Sequence, residues 1–293
     1  MDKLNKELIK AKKKLIKLDE LKKTSTKKYK SLQDKIHLYF DSKYDTNDAE
    51  KYIISTFWAK AYDNYTDGGY ITNDTYISKV RFDYETKKLN KILKKYSTSN
   101  KRALDIGCGN GRYTKEFAKN FDEIIGINLS QKRVDKNNQQ NKNANITYLN
   151  ENFITMPKDT LGKFDFVFVG DIFMYTNDSD VEKVFTSLLK LLEKDAILVV
   201  RESSMDIGFE DYGSKNYVAY YRNKEFYQNG IFKDNFVKLY KNYGYSLYHL
   251  DKYFSVNPDA KIKIEKNPMK LKKVVKQFVT KELRTSYFYI YKV

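Results

Sequence analysis

Cysteine, histidine and arginine are all scarce in this 293-residue chain. The single cysteine, Cys108, excludes an internal disulfide framework and any cysteine-rich zinc site, and it fits a reducing compartment. Only two histidines are present, His37 and His249, and no metal site is expected. No run of 18 apolar residues occurs, and the lysine-studded N-terminus has no apolar core of the signal-peptide kind. Neither a membrane span nor a secretory signal is therefore readable. The expected setting is cytoplasmic, with peripheral attachment to a membrane surface left open. What is abundant is positive charge: 55 Lys+Arg against 38 Asp+Glu gives +17. With 41% hydrophobic residues the chain can bury a large core, which excludes wholesale disorder.

The charge is unevenly placed. Residues 1–30 and 261–293 each carry +8, which leaves +1 for the whole of 31–260. Only 7 of the 55 basic residues are arginine, a profile that suggests AT-biased coding. Coding bias inflates lysine everywhere, so it does not explain why the excess sits at the ends.

Residues 1–30 read as a basic amphipathic helix, with Leu4, Leu8, Ala11, Leu15 and Leu18 on one seam and Lys22 breaking it. A short coiled coil that pairs two copies into a homodimer, a helix lying on an anionic surface, and a solvated tail all remain open. Residues 31–100 read as a helical, aromatic-rich lid. From Lys101 the pattern changes to short β-branched runs between helical stretches. Strands are expected at Ala103–Ile106, Glu123–Ile127, Ile146–Leu149, Phe164–Val169, Ala196–Arg201, Tyr245–Phe254 and Ser286–Tyr291. Helices are expected near Arg112–Asn120, Ser130–Asn141, Ser179–Glu193 and Asp234–Tyr243, the third with Val181, Val184, Phe185, Leu188, Leu189 and Leu192 on one apolar seam, and Lys136–Asn145 reads as a solvated helix end and loop. Strands alternating with helices of this length predict an α/β fold: a doubly wound, mostly parallel sheet of seven strands with the last antiparallel.

The strongest local signal is Ala103-Leu104-Asp105-Ile106-Gly107-Cys108-Gly109-Asn110-Gly111-Arg112, a buried strand running into a glycine-rich turn and a helix. Glycine lets backbone pass close to a ligand and adopt positive φ. Such a turn places the ligand at the carboxyl end of the first strand. A dinucleotide fingerprint would need glycine at 112, where Arg112 stands, and no phosphate-cradling G-x-x-x-x-G-K-[ST] occurs.

Over residues 101–293 the sequence resembles the class I S-adenosylmethionine (SAM)-dependent methyltransferases, and 104–111 looks like their first motif. The resemblance implies that Gly107, Cys108, Gly109 and Gly111 let the methionine part of SAM lie against the loop, with Asp105 facing its amino group. It places Asn128 and Leu129 at the ribose, where the family usually has an acidic residue. It places Asn152 and Phe153 at the adenine, with Asn152 where an Asp is common. Both departures weaken the expected SAM affinity. Gly170, Asp171 and Tyr175 after strand four, with Arg201-Glu202-Ser203 after strand five and Tyr217–Arg222 beyond, resemble small-molecule and surface-glycan methyltransferases. No Asn/Asp-Pro-Pro-Tyr/Phe motif follows strand four, so the pattern that methylates adenine in nucleic acid is absent.

Methyl transfer mostly needs positioning, and a hydroxyl acceptor also needs its proton removed. Asp171, Tyr175 and Glu202 are the expected catalytic residues, facing the methyl group. Arg81, behind the Phe57–Tyr65 lid helix, is the expected partner of the SAM carboxylate. His37 is a weaker base candidate, and His249 reads as structural. A lysine-rich helix starting at Asn267-Pro268 sits inside a basic insertion of about 260–284, suited either to covering the core or to docking on a lipid, acidic polymer or RNA. The expected activity is O-methylation of a sugar or other small hydroxyl-bearing metabolite. The alternatives are a protein or RNA methyltransferase, and a catalytically weak SAM-binding interaction protein.

Overall fold

The computed structural model describes residues 75–176, 178–205, 210–214, 217–229, 238–239, 243–245, 258–267 and 284–293. The basic N-terminal helix, the lid as far as residue 74, both histidines and the helix expected from Pro268 lie outside the described residues.

Helix α1 (Thr75–Tyr96) leads into strand β1 (Arg102–Ile106), then α2 (Arg112–Phe117), β2 (Glu123–Asn128), α3 (Gln131–Gln140) and β3 (Ile146–Asn150). The second half runs β4 (Phe164–Gly170), a 3-10 turn (Phe173–Tyr175), α4 (Asp178–Leu191) and β5 (Leu192–Met205). After these come β6 (Glu210–Ser214), β7 (Tyr217–Tyr221), α5 (Lys224–Asn229), β8 (Lys238–Leu239), β9 (Tyr243–Tyr245), α6 (Pro258–Lys266) and β10 (Arg284–Lys292).

The main sheet has the order β3-β2-β1-β4-β5-β10-β8, with β9 also on β10. Strands β1 to β5 are mutually parallel, and β10 runs antiparallel to β5 over nine residue pairs, from Arg284 with Met205 to Lys292 with Ile197. The doubly wound sheet with an antiparallel last strand is therefore as predicted. Strands β8 and β9 pair with the other edge of β10, one residue out of common register. Counted as one interrupted edge strand, they make the sheet seven-stranded.

Two expectations fail in the C-terminal third. The helix predicted over Asp234–Tyr243 is replaced, where described, by the edge strands β8 and β9; ladder bonds to β10 override a local helical period. Tyr217–Tyr221 pairs with Glu210–Ser214 as an antiparallel hairpin that the sequence pattern did not show. Asn267 closes α6, its N–H bonding to the Lys263 carbonyl at 3.1 Å.

Central strands are covered on both faces and so read as continuous apolar runs. On one face Phe166 and Phe168 of β4 meet Phe117 and Phe121, with Leu89, Ile92 and Leu93 of α1 and Ile264 of α6 in the same cluster. On the other, Val167 and Val169 meet Val181, Val184, Phe185 and Leu188 of α4, the seam predicted for that helix. Lys136–Asn145 is, as expected, the mostly exposed end of α3 and the loop after it, and it is pinned to the fold at two points. Asn137 is buried and donates to the Gly109 carbonyl at 2.9 Å, and Asn145 donates to the carbonyls of Ala118 (3.1 Å) and Phe121 (2.9 Å).

Phe166 is wholly buried between rings on α2 and the turn after it. Phe166→Ala is expected to destabilise the fold by about 3–5 kcal/mol, measured by urea unfolding.

Candidate functional site

The carboxyl ends of β1, β2, β4 and β5 converge on one cavity of about 170 Å³. Its floor is the turn after β1. Gly107, Gly109 and Gly111 have φ of +77°, +56° and +70°, so the run of glycines is a conformational requirement. Gly107 is also a site of close approach: a Cβ there would lie 2.3 Å from Cδ1 of Ile172. The N–H groups of Gly107 and Cys108 donate to the Ile127 carbonyl at 2.8 and 3.0 Å, which ties the turn to β2.

Of the residues expected at the site, Arg81, Gly107, Cys108, Gly109, Asn128, Leu129, Asn152, Phe153, Gly170, Asp171 and Tyr175 line the cavity. Gly111 is not in the wall. It makes the left-handed start of α2, with its N–H on the Cys108 carbonyl at 2.8 Å. Asp105 and Glu202 are corrections, because neither reaches the cavity wall. Asp105 lies beneath the turn, 1% exposed, and accepts a 2.6 Å hydrogen bond from Thr114 Oγ1. Burial pushes its carboxyl up to about 7, against that hydrogen bond. Glu202 is wholly buried behind the loop after β4 and accepts the N–H groups of Ile172 (2.8 Å), Phe173 (2.8 Å) and Met174 (3.3 Å). Burial, then the neighbouring Asp171 charge, push Glu202 up to about 8, against those N–H donors and Arg201.

Asp171 lines the cavity but is not a free base. Its Oδ2 accepts Nη2 of Arg81 at 2.8 Å and Nη1 of Arg201. Burial alone would raise its carboxyl, but Arg201 and then Arg81 outweigh that and hold it below the usual carboxylate range. Its Oδ1 is buried with no hydrogen-bond partner among the described residues. Arg81 and Arg201 also share Glu85 Oε1, at 3.0 and 2.8 Å, and Tyr113 Oη donates to Glu85 Oε2. Arg201 Nη2 donates to Ser286 Oγ at 2.8 Å. Two arginines and two carboxylates thus join α1, the β4 loop, β5 and β10.

Sequence reasoning missed Glu85, Tyr113 and Arg201 as parts of this assembly. Signals existed: Glu85 stands four residues from Arg81, and Arg201 is a charge ending the apolar run Ile197–Val200. At the β2 end, Asn128 Oδ1 accepts the Ser130 N–H at 2.8 Å, which leaves its amide N–H groups as the donors it offers a ligand. Phe153 is buried in the wall opposite, with Lys158 Nζ 4.7 Å from its ring centre.

Residues 103–195 match the methyltransferase domain family. The chain carries a methyltransferase domain. Phosphoethanolamine N-methyltransferase 1 of Triticum aestivum is 30% identical over 175 residues, 56% of this chain and 34% of that protein. Phosphoethanolamine N-methyltransferase 1 of Arabidopsis thaliana is 29% identical over 133 residues, 43% of this chain and 26% of that protein. The matched stretch therefore spans about a third or less of these relatives. Magnesium protoporphyrin IX methyltransferase from Synechocystis, solved with S-adenosylhomocysteine (SAH), superposes with a TM-score of 0.54 at 13% identity, covering 83% of this chain and all of that one. Coclaurine N-methyltransferase bound to SAH gives 0.53 at 13% identity, covering 71% of this chain and 70% of that one. At these identities the structures show a shared fold.

The residues of the methyltransferase domain fit SAM. Gly107 lets the backbone approach Ile172 of the facing wall more closely than a Cβ would allow, Phe153, Ile154 and Leu129 give an apolar wall beside β3, and Arg81 and Asp171 supply polar groups at the other side.

Asp105 gives a pH prediction. With a folded value of about 7 against about 3.9 in the unfolded chain, the native state holds the proton more tightly. Its contribution to stability is therefore greatest below about pH 4 and is lost as pH rises through about 7. In urea unfolding from pH 4 to 8, wild type should lose roughly 1–4 kcal/mol relative to Asp105→Asn. Parallel stability curves for the two proteins would contradict this.

Proposed function

We propose that this chain is a SAM-dependent methyltransferase acting on a small molecule, with an amine nitrogen favoured over the sugar hydroxyl expected from the sequence. Bound SAM would supply an electrophilic methyl group, transferred by in-line displacement. The turn at Gly107–Gly109 brings backbone against the methionine part, Asn128 donates to the ribose, and Phe153 flanks the base. Arg81 stands at the cavity wall, where a ligand carboxylate can compete with Asp171 for it.

The observation that carries the acceptor class is Asp171. Among the described residues its Oδ1 has no hydrogen-bond donor, while two guanidinium groups keep the carboxyl ionised. A carboxylate so held at the cavity wall can accept a hydrogen bond from a ligand N–H or O–H alike, so the choice between them turns on the proton. As a base the same group is poor, since its proton affinity is lowered. An alcohol resembles water, which ionises near about 16, and would need strong assistance. An amine ionises near the lysine value of about 10 and can shed its proton to solvent. Of the three residues expected to take the acceptor proton, Asp171 is held ionised, Glu202 is walled off, and Tyr175 remains to orient the nucleophile. The names of the wheat and Arabidopsis relatives support nitrogen as an acceptor in proteins that share this domain.

Calorimetry with SAM and SAH tests the cofactor half. Micromolar binding is expected, with Gly107→Ala abolishing it; no binding by wild type at high micromolar concentration overturns the proposal in favour of an interaction protein. Acceptor class is tested with phosphoethanolamine and other small amines against sugars. Amine turnover should rise about tenfold per pH unit below the amine's own pKa and fall by about 10–100-fold in Asp171→Asn. Turnover of sugars or RNA alone would overturn the amine assignment.

A further inference from the structure

The loop from Asp171 to Thr176 supplies four residues of the cavity wall, Asp171, Ile172, Tyr175 and Thr176. Asp171 stands at φ +52°, a left-handed conformation costly for a residue with a side chain, so its surroundings must impose it. Within the loop the Tyr175 N–H donates to the Ile172 carbonyl at 2.9 Å, Thr176 Oγ1 to the same carbonyl at 2.9 Å, and the Thr176 N–H to the Phe173 carbonyl at 3.1 Å. The Asp171 N–H donates outward to the Arg201 carbonyl at 2.8 Å.

A buried carboxyl group and a buried guanidinium grip this loop from outside the cavity. Glu202, on β5, accepts its N–H groups at Ile172, Phe173 and Met174. Arg222, just after β7 and 3% exposed, donates to its carbonyls: Nη1 to Phe173 at 2.6 Å and Nη2 to Thr176 at 2.5 Å. Tyr227 of α5 feels both, its phenol pushed up by burial and by Glu202 and pulled down by Arg222. Neither residue of the pair lines the cavity. Burying charge is costly, and apolar residues of similar volume fill space at lower cost. What a carboxyl group and a guanidinium add is fixed geometry, with donors and acceptors of one short loop held by name.

We propose that Glu202 and Arg222 are positioning residues for the acceptor, clamping loop 171–176 so that Asp171 and Tyr175 keep their places in the cavity wall. This rests on the methyltransferase reading above. It gives Glu202 a role through the loop in place of the direct role expected from the sequence. It also explains the β6–β7 hairpin, which carries Arg222 to the loop.

The test uses two ligands that share the adenosyl and amino-acid ends. SAH has no group on the acceptor side, whereas sinefungin carries an amine in place of the methylsulfonium. Calorimetry should show wild type preferring sinefungin over SAH by about tenfold or more, the size of one charge-assisted hydrogen bond. Glu202→Gln and Arg222→Lys should keep SAH affinity within about threefold while that preference falls towards unity. Thermal unfolding checks each fold, and Arg222→Lys carries the test where Glu202→Gln does not fold. An unchanged preference in the variants overturns the proposal, as does an equal loss for both ligands, which marks a purely structural role. Equal affinities in wild type remove Asp171 as an acceptor-side group. Binding of neither ligand by wild type overturns the methyltransferase reading itself.

Discussion

Arg201 is 2% exposed, and its guanidinium reaches Glu85, Asp171 and Ser286 at once. A buried cation of this kind is tolerated only when it is paired and its hydrogen bonds are satisfied. Meeting that demand fixes three other parts of the molecule against β5. Helix α1 must bring Glu85 and Arg81, the β4 loop must bring Asp171, and β10 must bring Ser286. The antiparallel insertion of β10 beside β5 is what puts Ser286 opposite Ser203 and within reach. The cavity wall is assembled by the same contacts, so the charge network and the site are one structure.

The network also reassigns the chemistry of the carboxylates around the cavity. Environment separates them: Asp171 is held ionised by two arginines, while burial raises Asp105 and Glu202 towards neutrality. The first can orient a ligand, and the other two act on the backbone and on Thr114. This division suits a transfer reaction that depends on placing a nucleophile in line with a donor more than on removing a proton.

The net charge of +17 bears little on the site. Both basic ends lie largely outside the described residues, and residues 31–260, which hold the whole cavity, sum to +1. Within the cavity charge is instead local, with Arg81 and Arg201 on the wall matched by Asp171 and Glu85 at about 3 Å. Attraction to an anionic surface through the ends, pairing through the N-terminal helix and a cytoplasmic location remain proposals separate from the methyl-transfer chemistry.

The sequence by itself determined the alternation of strands and helices, the glycine turn at 107–111 and the apolar seam of α4, because each depends on near neighbours and a regular period. It also placed eleven of the expected cavity residues, since in this sheet order the strand ends that follow glycine and asparagine turns converge. Tertiary structure alone decided the rest. Edge strands β8 and β9 take their pairing from β10, some 50 residues distant, and a local period could not reveal that. Whether Asp171, Glu202 or Asp105 faces a ligand depends on which distant arginine, backbone N–H or hydroxyl stands beside it. The residue types announced acid chemistry; the partners brought by α1, β5 and β7 decided which of those acids the cavity can use.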